Sequence, residues 1–173
     1  MKFISPFRIL FVILVLQETI IPLRADEKFI QDTCKHTEYY DLCMSILLAN
    51  PKSRTADLSE LALIGVDEVK NKGITIIQKI EDFRKSQPEL KMDLDYCYDA
   101  YNTTVKVDVP LAVQALSLGR VMFAEDGIAD AAVEADACED TFSQNGHTSP
   151  MTDLNTDMNH VANTIRQIIR QLY

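Results

Sequence analysis

The sequence has little of the chemistry that an enzyme needs. It contains only three histidines, and no Gly-x-Ser-x-Gly, phosphate-binding loop or His-Glu-x-x-His pattern accompanies them. His36 and His147 fall in segments that the pattern predicts to be loops. Without a nucleophile, an acid/base pair or a metal site, the chain is predicted to have no catalytic residues and not to be an enzyme.

The residues also lack the spacing of a metal site. Asp157 and His160 share one helical face, but a di-iron bundle would need this element twice and two further inward carboxylates. The second copy is missing. The acids of residues 125–140 crowd one helix as a solvated face does, without the tight oxygen-rich loop that calcium prefers. We therefore expect no metal and no cofactor.

Positive charge is scarce, because the formal net charge of the chain is −9. Removal of residues 1–25 would take away three basic residues and one acidic residue, and would leave the mature chain at −11. No basic stripe offsets this balance. Nucleic acid and anionic membrane surfaces are therefore excluded as partners.

Long apolar runs are confined to the start of the chain. Lys2 and Arg8 precede the apolar stretch 9–16, and polar residues and a cleavage point near Ala25 follow it. This order is typical of a secretory signal peptide, whose apolar part is too short to span a bilayer. We predict a signal peptide over 1–25 and an exported helical domain over 26–173, and we expect no membrane partner.

The four cysteines, all in the exported part, predict two disulfides in an oxidising compartment. Three pairings are possible. The simplest joins neighbours, Cys34–Cys43 and Cys97–Cys138. Chain-entropy estimates give a stabilisation of roughly 3 kcal/mol for the first disulfide and roughly 4 kcal/mol for the second. Zinc is disfavoured, because eight residues separate Cys34 from Cys43 and no close Cys/His pair accompanies them.

Apolar periodicity predicts helices throughout, and no strand pattern competes. Residues 26–50 form two short pieces that need a disulfide and a neighbour for stability. Asp57 and Glu60 have the spacing of a capping box, and the stripe that follows runs over about six turns. Gly65 and Gly73 in this stripe suggest close approach of another helix.

Three further helices are predicted after residue 86. Pro88 suits a first turn, Asp108–Pro110 restarts the chain, and Ser149–Pro150 caps the last helix. Leu111, Ala115 and Leu118 are predicted to face inward. Four long helices with short connectors predict an all-α, up-down-up-down four-helix bundle behind an N-terminal helical hairpin. The sequon at Asn102 is usable if exposed, although it lies within a predicted helix.

The regular pattern stops at residues 116–127. Gly119 and Gly127 bracket a segment of low helix propensity, in which Arg120 precedes three apolar residues and two acids follow. Three adjacent apolar side chains cannot all face one core, so at least one is predicted to be exposed and available to a partner. The alternative is a helix bend in which Met122 and Phe123 fill the core.

Several motifs together resemble a known family. They are an export signal, Thr33-Cys34-Lys35, Pro51-Lys52-Ser53 with Thr55-Ala56-Asp57, Leu61-Ala62-Leu63-Ile64, Val109-Pro110 with Ala115-Leu116, and Phe123-Ala-Glu-Asp-Gly127. The chain resembles the plant inhibitors of invertase and pectin methylesterase, and its last two motifs are closer to the invertase branch. The resemblance implies a disulfide-closed hairpin on a four-helix bundle, with neighbour pairing of the cysteines.

The resemblance also implies a binding site. In the invertase branch a Pro-Lys-Phe wedge enters the sucrose-binding cleft of the enzyme, and it falls here on Val121-Met122-Phe123, so that only the phenylalanine matches. Arg120, two positions from Met122, could replace the lysine only if the segment is not helical. The candidate target-binding residues are the wedge and its neighbours: Arg120, Val121, Met122, Phe123, Glu125 and Asp126.

The resemblance implies a secreted inhibitor of acid invertase (β-fructofuranosidase), acting in the cell wall (apoplast) or vacuole by 1:1 occlusion of the substrate cleft. Because Met122 replaces the lysine of the wedge, pectin methylesterase is an alternative target. The family binds this enzyme through the bundle surface. A third hypothesis is a secreted helical binding or storage module without an enzyme target.

Overall fold

The computed structural model describes residues 21–173, with side chains from residue 27. The predicted signal peptide lies almost wholly outside these residues and stays a prediction. Seven α-helices follow one another in the described part: α1 (Ile21–Cys34), α2 (Tyr40–Ala49), α3 (Leu58–Ser86), α4 (Lys91–Thr103), α5 (Val109–Ser117), α6 (Val121–Gln144) and α7 (Thr152–Arg170). Because α4 and α5 form one rod, the last five helices make the predicted up-down-up-down bundle.

The α1–α2 hairpin is closed by the Cys34–Cys43 disulfide and lies on the last helix of the bundle. The rings of Tyr39 and His160 stack with centroids 4.2 Å apart. The Gln167 side chain accepts a hydrogen bond from the Glu38 amide at 2.6 Å. The hairpin therefore has the neighbour that its small size requires.

Helix α3 begins as the sequence predicts. The Asp57 carboxylate accepts a hydrogen bond from the Glu60 amide at 2.9 Å, and the Glu60 carboxylate accepts one from the Asp57 amide at 2.8 Å. The two glycines of the stripe allow close packing. A Cβ on Gly65 would lie 2.5 Å from a methyl of Ile165, and one on Gly73 would lie 2.7 Å from Val105.

The predicted restart at residues 108–110 is wrong, because the helix continues through it. A single π-turn, Thr104–Asp108, joins α4 to α5, and the Val109 amide donates to the Thr104 carbonyl five residues earlier. Pro110 has no N–H to donate, and the wider turn takes up the change in hydrogen bonding that proline imposes. Helices α4 and α5 are therefore one rod with a bulge at Asp108.

The second disulfide, Cys97–Cys138, ties α4 to α6 inside the core. Of the three possible pairings, the structure thus contains the neighbour pairing. A polar network beneath the α6–α7 loop adds to this link. Buried Asp93 accepts hydrogen bonds from His147, at 2.7 Å, and from Asn145. Ser149 accepts a hydrogen bond from the Met151 amide at 3.0 Å just before α7 begins.

Candidate functional site

The candidate site is the tight turn between α5 and α6. Gly119 has φ +66°, a left-handed conformation that other residues adopt at a cost. Its amide donates to the Leu116 carbonyl at 3.0 Å, and the Arg120 amide donates to the Ala115 carbonyl at 2.8 Å. These two bonds form a Schellman motif, which ends α5 and fixes the direction in which α6 departs.

Gly127 does not interrupt the helix, although the sequence places it at the end of a segment of low helix propensity. It lies inside α6, which runs without interruption from Val121 to Gln144. A Cβ at this position would be 3.2 Å from the carbonyl oxygen of Asp108 and 3.5 Å from the Cβ of Ala112. The glycine is therefore placed where α6 crosses the bulged rod at short range.

The three apolar residues after Arg120 form the first turn of α6. Val121 is half-buried and packs on the core, whereas Met122 and Phe123 are 58% and 62% exposed. The alternative in which Met122 and Phe123 fill the core is therefore wrong. Two large apolar side chains stand in solvent on a turn whose backbone is fixed.

Arg120 lies outside the helix. Its backbone angles, φ −92° and ψ 67°, are not helical, and α6 begins one residue later. The Arg120 side chain consequently lines the same groove as Phe123, and Met122 does not. The wedge segment itself is helical from Val121, but Arg120 precedes the helix, so helical spacing does not fix the position of its side chain.

The groove lies between α5 and α6 and has a volume of about 340 Å³. Leu111, Ala115, Leu118, Phe123 and Gly127 supply its apolar wall. Its polar lining comes from Gln114, Arg120 and three aspartates, Asp108, Asp126 and Asp130. Asp126 and Asp130 are on α6, Asp108 is at the bulge of the facing rod, and Arg120 is at the turn.

Two groove residues contradict the sequence analysis. Leu111 and Leu118 were predicted to face inward, but they are 55% and 57% exposed. Ala115, the third residue predicted to face inward, is buried, as are Val109, Ala112 and Leu116. The exposed apolar residues and the buried apolar residues of this helix both have helical spacing. The bulge at Asp108 sets the rotation of α5 and so decides which of the two sets faces the core.

The Glu125 carboxylate accepts hydrogen bonds from other residues of the chain. Arg170 donates to its carboxylate through Nε at 2.9 Å and also through the terminal guanidinium nitrogen, and Tyr173 donates at 3.2 Å. The hydrogen bonds from Arg170 hold the pKa of Glu125 below its ordinary value. The Glu125 side chain is only 13% exposed. Asp126, by contrast, points to solvent.

Asp108 was not among the candidate residues. One of its carboxylate oxygens is buried without a hydrogen-bond partner among the described residues. Burial, together with the charges of Asp130 and Glu134, raises its pKa to about 6. No motif signals this behaviour, because it depends on the π-turn and on the close crossing of α6.

The predicted glycosylation site remains untested, and the Asp157–His160 pair was not predicted to bind a metal. Asn102 is half-buried in α4, and its glycosylation stays a prediction. Asp157 and His160 are engaged separately, with Lys72 and Tyr39 respectively. Within the described residues, no group of three or more potential metal-ligating side chains lies together. No helix of that part is long and apolar enough to cross a membrane.

The fold and the exposed turn define a class of protein, a disulfide-bonded helical bundle that presents an apolar turn beside a groove. The chain belongs to the plant invertase/pectin methylesterase inhibitor family, whose model matches residues 28–170. Members of this family are inhibitors and not enzymes.

One relative supports this assignment through its sequence. The cell wall/vacuolar inhibitor of fructosidase 1 of Arabidopsis thaliana is 40% identical over 144 residues, covering 83% of this chain and 69% of the relative. The name of this relative describes an inhibitor of fructosidase.

Two solved structures share the fold. A mutant form of a pectin methylesterase inhibitor from Arabidopsis matches with TM-score 0.66 and 18% identity, covering 81% of this chain and 94% of that chain. A second pectin methylesterase inhibitor, from Arabidopsis thaliana, matches with TM-score 0.61 and 17% identity, covering 84% and 97%. The predicted fold is confirmed by these comparisons.

Proposed function

We propose that this protein is a secreted inhibitor of acid invertase that binds its target by insertion of the α5–α6 turn. The observation that carries the proposal is the exposure of Phe123 beside Arg120 on a turn with a fixed backbone. The 40% identity to an inhibitor of fructosidase supports the choice of target. The cell wall or the vacuole is the proposed site of action, in line with the name of that relative.

Phe123 is the proposed anchor of the interface. Aromatic residues that become fully desolvated at the centre of an interface dominate binding energies. Phe123 is already fixed on the first turn of a long helix, so little backbone entropy is lost when it enters a cleft. Val121 packs on the core beneath it and supports the turn.

Arg120 is the proposed cation of the wedge. A pocket lined by catalytic carboxylates favours a positive group. The invertase branch supplies this group as a lysine, and Met122 occupies the position of that lysine in this chain. Arg120 is exposed, and its side chain lines the groove that Phe123 also lines. A guanidinium can bind a carboxylate through two hydrogen bonds, which suits it to this role.

Pectin methylesterase is the second candidate target, and the observation that favours it is Met122 in place of the wedge lysine. Inhibition of this enzyme would use the bundle surface and would not need Phe123. Substitution of Phe123 therefore separates the two candidate targets. The Phe123→Ala protein would still inhibit a pectin methylesterase fully and would no longer inhibit an acid invertase.

The test is a parallel titration of the disulfide-bonded residues 26–173 against an acid invertase and a pectin methylesterase at mildly acidic pH. We expect inhibition of the invertase alone, with a 1:1 complex on size-exclusion chromatography with light scattering. Inhibition of the methylesterase alone would replace the proposed target. Inhibition of neither enzyme would favour a helical module without an enzyme target.

A further inference from the structure

The groove between α5 and α6 extends the exposed apolar surface well beyond the turn. Leu111 and Leu118 lie seven residues apart on the outer face of α5, and Phe123 faces them from α6. All three side chains are more than half exposed. Together they form a continuous apolar wall of a kind that marks interaction sites on soluble proteins.

The acidic rim of the groove consists of Asp108, Asp126 and Asp130, which outnumber the one cation in the lining, Arg120. Asp126 and Asp130 lie one turn apart on α6, and Asp108 lies at the bulge of the facing rod. None of these three takes part in an ion pair with the residues that the structure describes. A cation placed in the groove would be attracted chiefly to Asp126 and Asp130, because the raised pKa of Asp108 leaves that carboxyl partly protonated at mildly acidic pH.

From this arrangement we propose that the groove is a second part of the interface and seats a loop of the target enzyme that carries lysine or arginine next to an apolar side chain. The apolar part would contact Leu111 and Leu118, and the cation would lie between Asp126 and Asp130. This inference rests on the proposed inhibitory function and extends the interface from the wedge residue Phe123 to Leu111, Leu118 and Asp130.

The charge and the size of the groove favour this occupant over others. A second copy of this acidic chain, or an anionic lipid surface, would be repelled by the rim. Long side chains from a loop beside the enzyme cleft fit the space and the charge.

The experiment measures the inhibition constant and the association rate with an acid invertase for the parent protein and four variants. Asp126→Lys/Asp130→Lys reverses the rim, Leu111→Ser makes the wall polar, and Phe123→Ala removes the wedge. Glu89→Lys/Asp140→Lys is the matched control, since it makes the same change in net charge at exposed acids outside the groove.

We expect the rim variant to raise the inhibition constant about 10-fold or more, chiefly through slower association at low salt. Leu111→Ser should weaken inhibition several-fold by faster dissociation, and the control should change it less than about 2-fold. Circular dichroism and thermal unfolding of each variant would establish that the bundle is intact.

The outcomes separate the two proposals. If the parent protein does not inhibit the invertase, the proposed function fails. If the parent inhibits and Phe123→Ala loses inhibition, while the rim variant and Leu111→Ser behave like the control, the function stands and the groove proposal is wrong. Tighter inhibition by the rim variant would mean that the groove faces an acidic surface, which also overturns the proposal.

Discussion

Arg170, at the end of α7, donates two hydrogen bonds to Glu125, which lies one turn into α6 and 45 residues earlier in the chain. The link joins the last helix of the bundle to the helix that carries the wedge. Glu125 is consequently a residue that holds the first turns of α6 in place, and Asp126 is the acid of the pair that a partner can reach.

Loss of the Arg170 contact should give a pH-dependent loss of stability. The lowered pKa of Glu125 contributes stability that is present above the ordinary value of 4.5 and is lost as the pH falls through the lower folded value. Arg170→Met should therefore lower the melting temperature near neutral pH, with a smaller difference in acid. Lys85→Met, at an exposed pair with Asp82, is the control and should change little. Equal losses at all pH values would contradict this account.

Phe123→Ala should remove most of the inhibition of an acid invertase. Truncation of a central aromatic anchor costs about 2 kcal/mol or more, which raises the inhibition constant about 30-fold. Val133→Ala is a matched control, because Val133 is also on α6 and is 61% exposed. Inhibition by Phe123→Ala at the parent level would show that the turn is not the wedge.

Met122→Lys should tighten inhibition, because it restores the cation that the invertase branch carries. Arg120→Met should weaken it, since Arg120 is the proposed substitute. The double variant Arg120→Met/Met122→Lys distinguishes the two positions: it should inhibit at least as well as the parent if one cation at the turn is sufficient. If neither single variant changes the inhibition constant, the pocket does not select for positive charge.

Gly119→Ala should destabilise the fold without any steric clash. A Cβ at Gly119 would meet nothing within 4 Å, so the cost is that of the left-handed backbone alone, about 1–2 kcal/mol. Gly119→Asn should cost less, because asparagine tolerates this conformation. Urea unfolding of the two variants measures the difference. A neutral Gly119→Ala variant would mean that the turn relaxes to another conformation.

Asp108→Asn should flatten the pH dependence of stability. Burial raises the folded pKa of Asp108 from 3.8 to about 6, so the native state binds more protons than the unfolded chain between these values. Stability that is fully present below the unfolded pKa is therefore lost as the pH rises through the folded value. Because the groove is open to water, Asp108→Asn should raise the free energy of unfolding near neutral pH by about 1–2 kcal/mol. The measurement is urea unfolding at several pH values, and an unchanged slope would contradict the assignment to Asp108.

Local sequence was sufficient for the features that depend on neighbours along the chain. Asp57 and Glu60 form the predicted capping box because the two residues are three positions apart on one turn. The apolar stripe from Leu61 to Ile80 is buried as its spacing predicts. The two disulfides also join cysteines that are neighbours in the sequence.

Features that depend on the crossing of distant segments could not be predicted in the same way. Gly127 reads as a helix breaker, but it permits close contact with the Asp108 carbonyl. The exposure of Leu111 and Leu118 depends on how α5 is rotated after the π-turn, and two apolar stripes on that helix were equally periodic. Spacing along the sequence does not predict contacts between residues that only tertiary packing brings together.

The sequence by itself determined the helical class, the helix start at Asp57, the spacing of the core positions and the membership of an inhibitor family. Only the tertiary structure decided that Arg120 and Phe123 line one groove, that Glu125 is held by Arg170 and that Asp108 lies half-buried among other acids. The physical reason is that periodicity and capping act within one or two turns, whereas burial and charge at this turn depend on helices brought together from distant parts of the chain.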